Sequence, residues 1–168
     1  TTFSAQQKVA IDSLKVKGAS EIYADDYGNF YIYENRDFSL TKYSSNGFQL
    51  AKLMLTLPFK VQSVQNPLYI PAFSENAQEM RFFDQNLNEI EKVDFRQKFG
   101  YIKAAYTEDQ RQTWLLDESM KRLILYDFRD DRVRSSISVS FNLDEVKDLL
   151  IYRDSAYVLY PNKLLIFD

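Results

Sequence analysis

Four aromatic residues, Tyr43, Phe83, Tyr126 and Phe167, stand 40, 43 and 41 residues apart, each in a short apolar string. A second set moves with the first. Tyr31, Tyr69, Trp114 and Tyr157, each followed by an aliphatic residue, precede those anchors by 12, 14, 12 and 10 residues. Self-similarity at a fixed period means that one supersecondary unit is copied along the chain, and such units bury their faces against one another. No other feature restricts the fold so strongly.

A strand-like segment lies upstream of both anchors in every unit: Glu21 to Ala24, Val61 to Gln65, Ile102 to Thr107 and Val146 to Tyr152. In three units a fourth follows, at Phe48 to Leu53, Ile90 to Phe95 and Val133 to Val139. Aromatics reach 15% of the chain, with only four Gly and four Pro, a balance that favours strands over helices. Four short strands per unit of about 42 residues, joined by polar turns, predict an all-β chain. The expected architecture is a β-propeller-like array of four-stranded antiparallel blades. The units run over 18–56, 57–97, 98–140 and 141–168 within one domain, 1–168. An ordinary aromatic-rich β-sandwich is the alternative. Three features moving together across four units favour the propeller.

The fourth unit stops at Asp168, after its third strand, so the ring reads as incomplete. Either the natural chain continues, or Lys8 to Lys17 supplies the missing outer strand. Helix is expected to be a minor component. Ala5 to Leu14 fits either a short helix or an extended entry strand, and Asn142 to Leu149 fits one helical turn or two, with Asn142 as N-cap and Glu145 three residues on.

At 168 residues a chain buries roughly 70% of its unfolded surface and needs no disulfide or metal to hold its core. Cysteine and histidine are both absent, which excludes zinc fingers, thiol nucleophiles and Ser-His-Asp triads. A net charge of -3, from 21 basic and 24 acidic residues, lacks the basic field of a nucleic-acid binder. No apolar run is long enough to cross a bilayer as a helix. The chain begins Thr1-Thr2-Phe3, as a removed signal peptide or a fragment of a longer protein would leave it.

Candidate sites are few, and each has a plainer explanation. The pair Asp25/Asp26 precedes Gly28, but a calcium loop starting at Asp25 would place Tyr27 and Arg36 at ligand positions. An Asx-type hairpin turn is the better reading. Asp130-Asp131 sits among Arg129, Arg132 and Arg134 and reads as a charge-compensated turn. Tyr23, Tyr27, Tyr31 and Tyr33 offer a stacking surface for sugar only if they are not core. A hydrolase would need paired Asp/Glu on the innermost strands or their exit loops, facing a central funnel. The innermost strands contribute mainly Tyr, Val, Ala, Gln and Lys. No catalytic, cofactor or metal residue is therefore assigned. The positions singled out are the structural anchors Tyr31, Tyr43, Tyr69, Phe83, Trp114, Tyr126, Tyr157 and Phe167.

Several stretches resemble a group of exported β-propeller-like proteins from the cell envelope of flavobacterial-type bacteria. They are Thr1-Thr2-Phe3, the turn ending Gly28-Asn29-Phe30-Tyr31-Ile32, the step Asn66-Pro67-Leu68, the run from Phe83 to Ile90, and Leu125-Tyr126-Asp127. The resemblance covers the chain loosely, and 66–90 is its distinctive part. It implies export to the periplasm or envelope and a longer C-terminal part. It also implies a non-catalytic binding or scaffold role with protein partners, in an outer-membrane or secretion-associated complex. A carbohydrate-active or other hydrolytic propeller is the competing expectation.

Overall fold

The computed structural model describes residues 18–168. Strands β1 (Glu21–Ala24), β2 (Phe30–Glu34), β3 (Ser39–Tyr43) and β4 (Gln49–Met54) form the first sheet. The second holds β5 (Lys60–Val61), β6 (Ile70–Ser74), β7 (Glu79–Phe83) and β8 (Glu89–Asp94). In the third are β9 (Ile102–Thr107), β10 (Gln112–Asp117), β11 (Arg122–Asp127) and β12 (Arg132–Ser138). The fourth has three strands, β13 (Asp148–Tyr152), β14 (Ser155–Leu159) and β15 (Leu164–Phe167). Within each sheet every strand pairs antiparallel with its sequence neighbours, and the sheets are the blades of a four-blade β-propeller.

Strand register explains why two aromatic sets recur. Tyr31 lies opposite Tyr23 and Lys42, on the face of blade one that packs against blade two. Tyr69 belongs to the core between blades two and three, and Trp114 packs against the core between blades three and four. These residues cover the following blade. Phe83, by contrast, joins the core with blade one, and Tyr126 the core with blade two. Phe167 stacks on Phe141 at 4.7 Å beside the third core. That set covers the preceding blade. Tyr43 stacks on Phe30 at 5.2 Å, on the face of blade one turned away from blade two. Tyr157 lies opposite Leu150 and Ile166, on the face of blade four turned away from blade three.

The turns are repeated as well as the strands. Four-residue turns after β2, β6 and β10 all end on a left-handed residue: Phe38 (φ 55), Gln78 (φ 55) and Lys121 (φ 48). The β3–β4 turn has Gly47 at φ 81, whereas the β7–β8 turn forces Leu87 to φ 62. Leu87 accepts that backbone because its side chain is buried in the first core. Burying a Leu is worth about 1.5–3 kcal/mol, enough to outweigh the roughly 1–2 kcal/mol of left-handed strain. Unit two thus keeps the turn without the glycine.

Two sequence expectations are corrected here. Asn142 to Leu149 is not helical. The Asn142 carboxamide accepts the Asp144 N–H at 2.9 Å as an Asx turn, and Leu143, Val146 and Leu149 all insert into the third core. The chain must be extended from Asp148, which pairs with Leu159, so no second helical turn fits. The segment Val61 to Gln65 yields a ladder only at Lys60–Val61. Gln62 donates to the Pro71 carbonyl at 2.9 Å, but proline has no N–H to return the bond. The expected helix Ala5 to Leu14 and the strand Lys8 to Lys17 lie outside the described residues.

Candidate functional site

The innermost strands surround a central channel of about 260 Å³ lined by Glu21, Lys60, Glu75, Lys103 and Asp148, among others. Lys60 bonds Asp148 at 2.6 Å across the channel, from blade two to blade four. Lys103 holds Glu75 at 2.8 Å, and Tyr101 donates to the same carboxylate at 2.9 Å. Burial first, and that bond second, push the Tyr101 phenol up to about 12. Glu21 accepts the Tyr23 hydroxyl. Three carboxylates therefore face the channel, more than the innermost strand sequences implied. Glu75 escaped notice because it sits in the β6–β7 turn.

Glu118, in the β10–β11 turn, is held above the usual carboxylate range by burial first and by its hydrogen-bonded neighbour Asp144 second. Among the described residues, no cluster of three or more metal-ligating side chains is arranged around a common point.

The acidic turns serve folding. The Asp25 carboxylate accepts the N–H groups of Tyr27 and Asn29, both at 2.9 Å, and the Tyr31 hydroxyl at 3.1 Å. Burial alone would raise its carboxyl, but the Asn29, Tyr31 and Tyr27 bonds prevail and hold it below the usual range. Asp84 repeats the arrangement in the β7–β8 turn, accepting from Asn86 at 2.8 Å and Asn88 at 2.9 Å. Asp130 is clamped by Arg134 at 2.7 Å and by the distant Arg111, and Asp131 accepts the Tyr126 hydroxyl at 2.6 Å. Asp127, fully buried beneath them, bonds Arg134 at 2.6 Å and Arg111 at 2.7 Å. Burial opposes its ionisation, but the Asp130 N–H and the two guanidiniums overcome that and hold it far below the carboxylate range. Of the four tyrosines considered for stacking, Tyr31 and Tyr33 are core, Tyr23 packs on that core, and only Tyr27 is exposed.

A larger cavity opens at the rim. Between blades three and four runs a groove of about 550 Å³, floored by Trp114, Leu125 and Ile137 on one side and Ile151 and Phe167 on the other. Glu108, Arg153, Asp154 and Asp168 stand around it. Among the described residues the last blade has three strands, and the groove lies beside the outermost, β15. Above it, the far face of blade four leaves Leu150, Tyr152, Leu159, Leu164 and Ile166 each 44–58% exposed.

The interface between blades two and three is laced by side-chain bonds. Gln78 grips β9 with both ends of its carboxamide, donating to the Ile102 carbonyl at 2.8 Å and accepting the Ile102 N–H at 2.7 Å. Gln62 does the same at the other end of β9, accepting the Thr107 N–H at 2.8 Å and donating to Ala105. Sequence reasoning did not find these glutamines, because nothing local distinguishes them from surface residues.

No protein-family model and no curated protein matches this sequence. Solved β-propellers do. BamB from Moraxella catarrhalis superposes with a TM-score of 0.53 at 14% identity, covering 88% of this chain and 45% of that one. A KlHsv2 variant with loop 6CD replaced by a Gly-Ser linker gives 0.62 at 12% identity, with 94% and 52% covered. Virginiamycin B lyase from Staphylococcus aureus gives 0.57 at 10% identity, with 89% and 55% covered. The chain thus spans about half the length of these propellers. The likeness is one of fold.

Proposed function

We propose that this chain is a non-catalytic protein-binding module that acts as a scaffold in the bacterial cell envelope. The observation that carries the reading is where its uncommitted surface lies. The channel carboxylates Glu75 and Asp148 are neutralised by Lys103 and Lys60. The groove between blades three and four and the far face of blade four are apolar and open. Chemistry is tied up inside while binding surface is free outside. The envelope setting rests on the resemblance carried by Asn66-Pro67-Leu68 and the run from Phe83 to Ile90. Partners in an outer-membrane or secretion-associated complex would suit it.

The test is affinity purification of the native full-length protein from envelope extracts, followed by mass spectrometry. A stoichiometric protein partner is the expected result. Recovery as a lone monomer would remove the scaffold reading and return attention to the channel.

A further inference from the structure

Going beyond the scaffold reading, we infer that one end of blade one is a glycan-binding platform, on which the rings of Tyr27 and Phe48 stack against the apolar faces of neutral sugar rings. These are the two most exposed aromatic side chains among the described residues, at 76% and 70%. They sit on adjacent turns. Tyr27 lies in the β1–β2 turn and Phe48 closes the β3–β4 turn. Both turns leave the same end of the blade, because Phe30, just after the first, pairs with Tyr43, just before the second. The turns also touch, since a methyl group on Gly28 would stand 3.9 Å from the Ser45 Cβ.

Neither turn needs an aromatic residue for its own geometry. The five residues between Ala24 and Phe30 correspond in register to the five between Thr107 and Thr113, which places Gln110 of blade three where blade one has Tyr27. Tyr43 and Gln49 correspond likewise to Phe83 and Glu89, so Phe48 matches Asn88 of blade two. The same backbone bond closes both of those turns, from the Ser44 N–H to the Phe48 carbonyl at 2.8 Å and from the Asp84 N–H to the Asn88 carbonyl at 2.9 Å. A polar residue therefore completes the turn and exposes less apolar surface to water. What blade one gains is two rings held on fixed backbone. The Asp25 carboxylate accepts the Tyr27 N–H at 2.9 Å, and the Ser44 hydroxyl accepts the Phe48 N–H at 3.1 Å. A platform that is already ordered loses little freedom on binding.

The residues beside the rings point to the ligand. Asp26, Ser45 and Asn46 are exposed in these turns, and neither turn contains a lysine, an arginine or an aliphatic side chain. A contact with anionic lipid would border the rings with basic residues, and the core of a protein interface would border them with apolar ones. A carboxylate, a hydroxyl and a carboxamide instead suit the hydroxyl groups at the edge of a sugar. The C–H face of that sugar complements the negative face of an aromatic ring.

The test titrates the isotope-labelled full chain with cellohexaose and, separately, with chitohexaose, following the Gly28 and Gly47 amide signals by NMR. Saturable shifts of both signals are expected with at least one glycan, and the tighter of the two distinguishes a plain from an N-acetylated sugar. Tyr27→Gln and Phe48→Asn introduce the residues that other blades carry at these turn positions, so the fold is kept. Each should weaken binding by about two- to tenfold, and the double variant should show no saturable shift. Tyr27→Phe keeps the ring and should bind within about twofold of wild type. No saturable shift with either glycan, or a double variant that binds as wild type does, would overturn the inference. So would an envelope protein captured by wild type and lost from the double variant while neither glycan binds, because the rings are then a protein contact.

Discussion

The interface between blades two and three and the interface between blades three and four are built from the same repeat, yet one is sealed and the other gapes. At the first, Phe95 touches the rings of Phe73, Phe99 and Tyr126, and Phe82 stacks between Tyr69 at 4.4 Å and Phe128 at 5.3 Å. Gln62 and Gln78 lace it to β9, and Arg129 of blade three reaches Glu91 of blade two at 2.8 Å. At the second, the inner half is equally apolar, with Leu116, Leu149 and Val158 buried together. The outer half is a groove. The lesson is that in a propeller the inner strands hold blades together, while the fourth strand decides whether the rim is closed or available.

The largest expected effect comes from breaking the sealed interface. Phe95→Ala should lower unfolding free energy by about 3–5 kcal/mol in urea titrations, because a rigid aromatic cluster cannot collapse into the space. Gln78→Met keeps the shape but strands the N–H and C=O of Ile102. It should cost about 1–3 kcal/mol in the same measurement. A pH series probes carboxylates of blades two and three. Asp127 and Asp94 have folded-state carboxyls held below their unfolded values, Asp94 at about 2 chiefly by the Arg96 guanidinium. A depressed carboxyl contributes stability that is fully present above the unfolded value and is lost as pH falls through the folded one. The urea midpoint should therefore stay level from neutral pH down to about 5 and decline below about 4, and Asp127→Asn should flatten that decline. The smallest effect belongs to the open interface. Ile137→Ala should change stability by less than about 0.5 kcal/mol, since its side chain touches the groove and not the core.

The repeat was legible in the sequence because every copy must cover two faces, and each face needs an aromatic at a fixed register. Tyr31 and Phe83 meet in one core for that reason, although they are 52 residues apart. The acidic turn at Asp25 was legible too, since the Asx geometry is local to five residues. The false helix at Asn142 fails on the same ground. An N-cap and an Asx turn look alike locally, and only the pairing of Asp148 with Leu159 across blade four decides between them. The short β5 had a readable signal in Pro71, opposite the place where the ladder stops. The groove had no readable signal, since its depth depends on how blades three and four are spaced. Gln62 and Gln78 left no trace, because their partners are backbone groups of another blade.

Hydrogen–deuterium exchange reads the contrast between the interfaces most directly. Strand β7 is paired on both sides, by β6 and β8, whereas β15 is paired only by β14 among the described residues. The amides of Glu79–Phe83 should exchange orders of magnitude more slowly than the outward-facing amides of Leu164–Phe167. Equal protection of the two strands in the free chain would mean that the rim of the last blade is already closed, and would contradict the account.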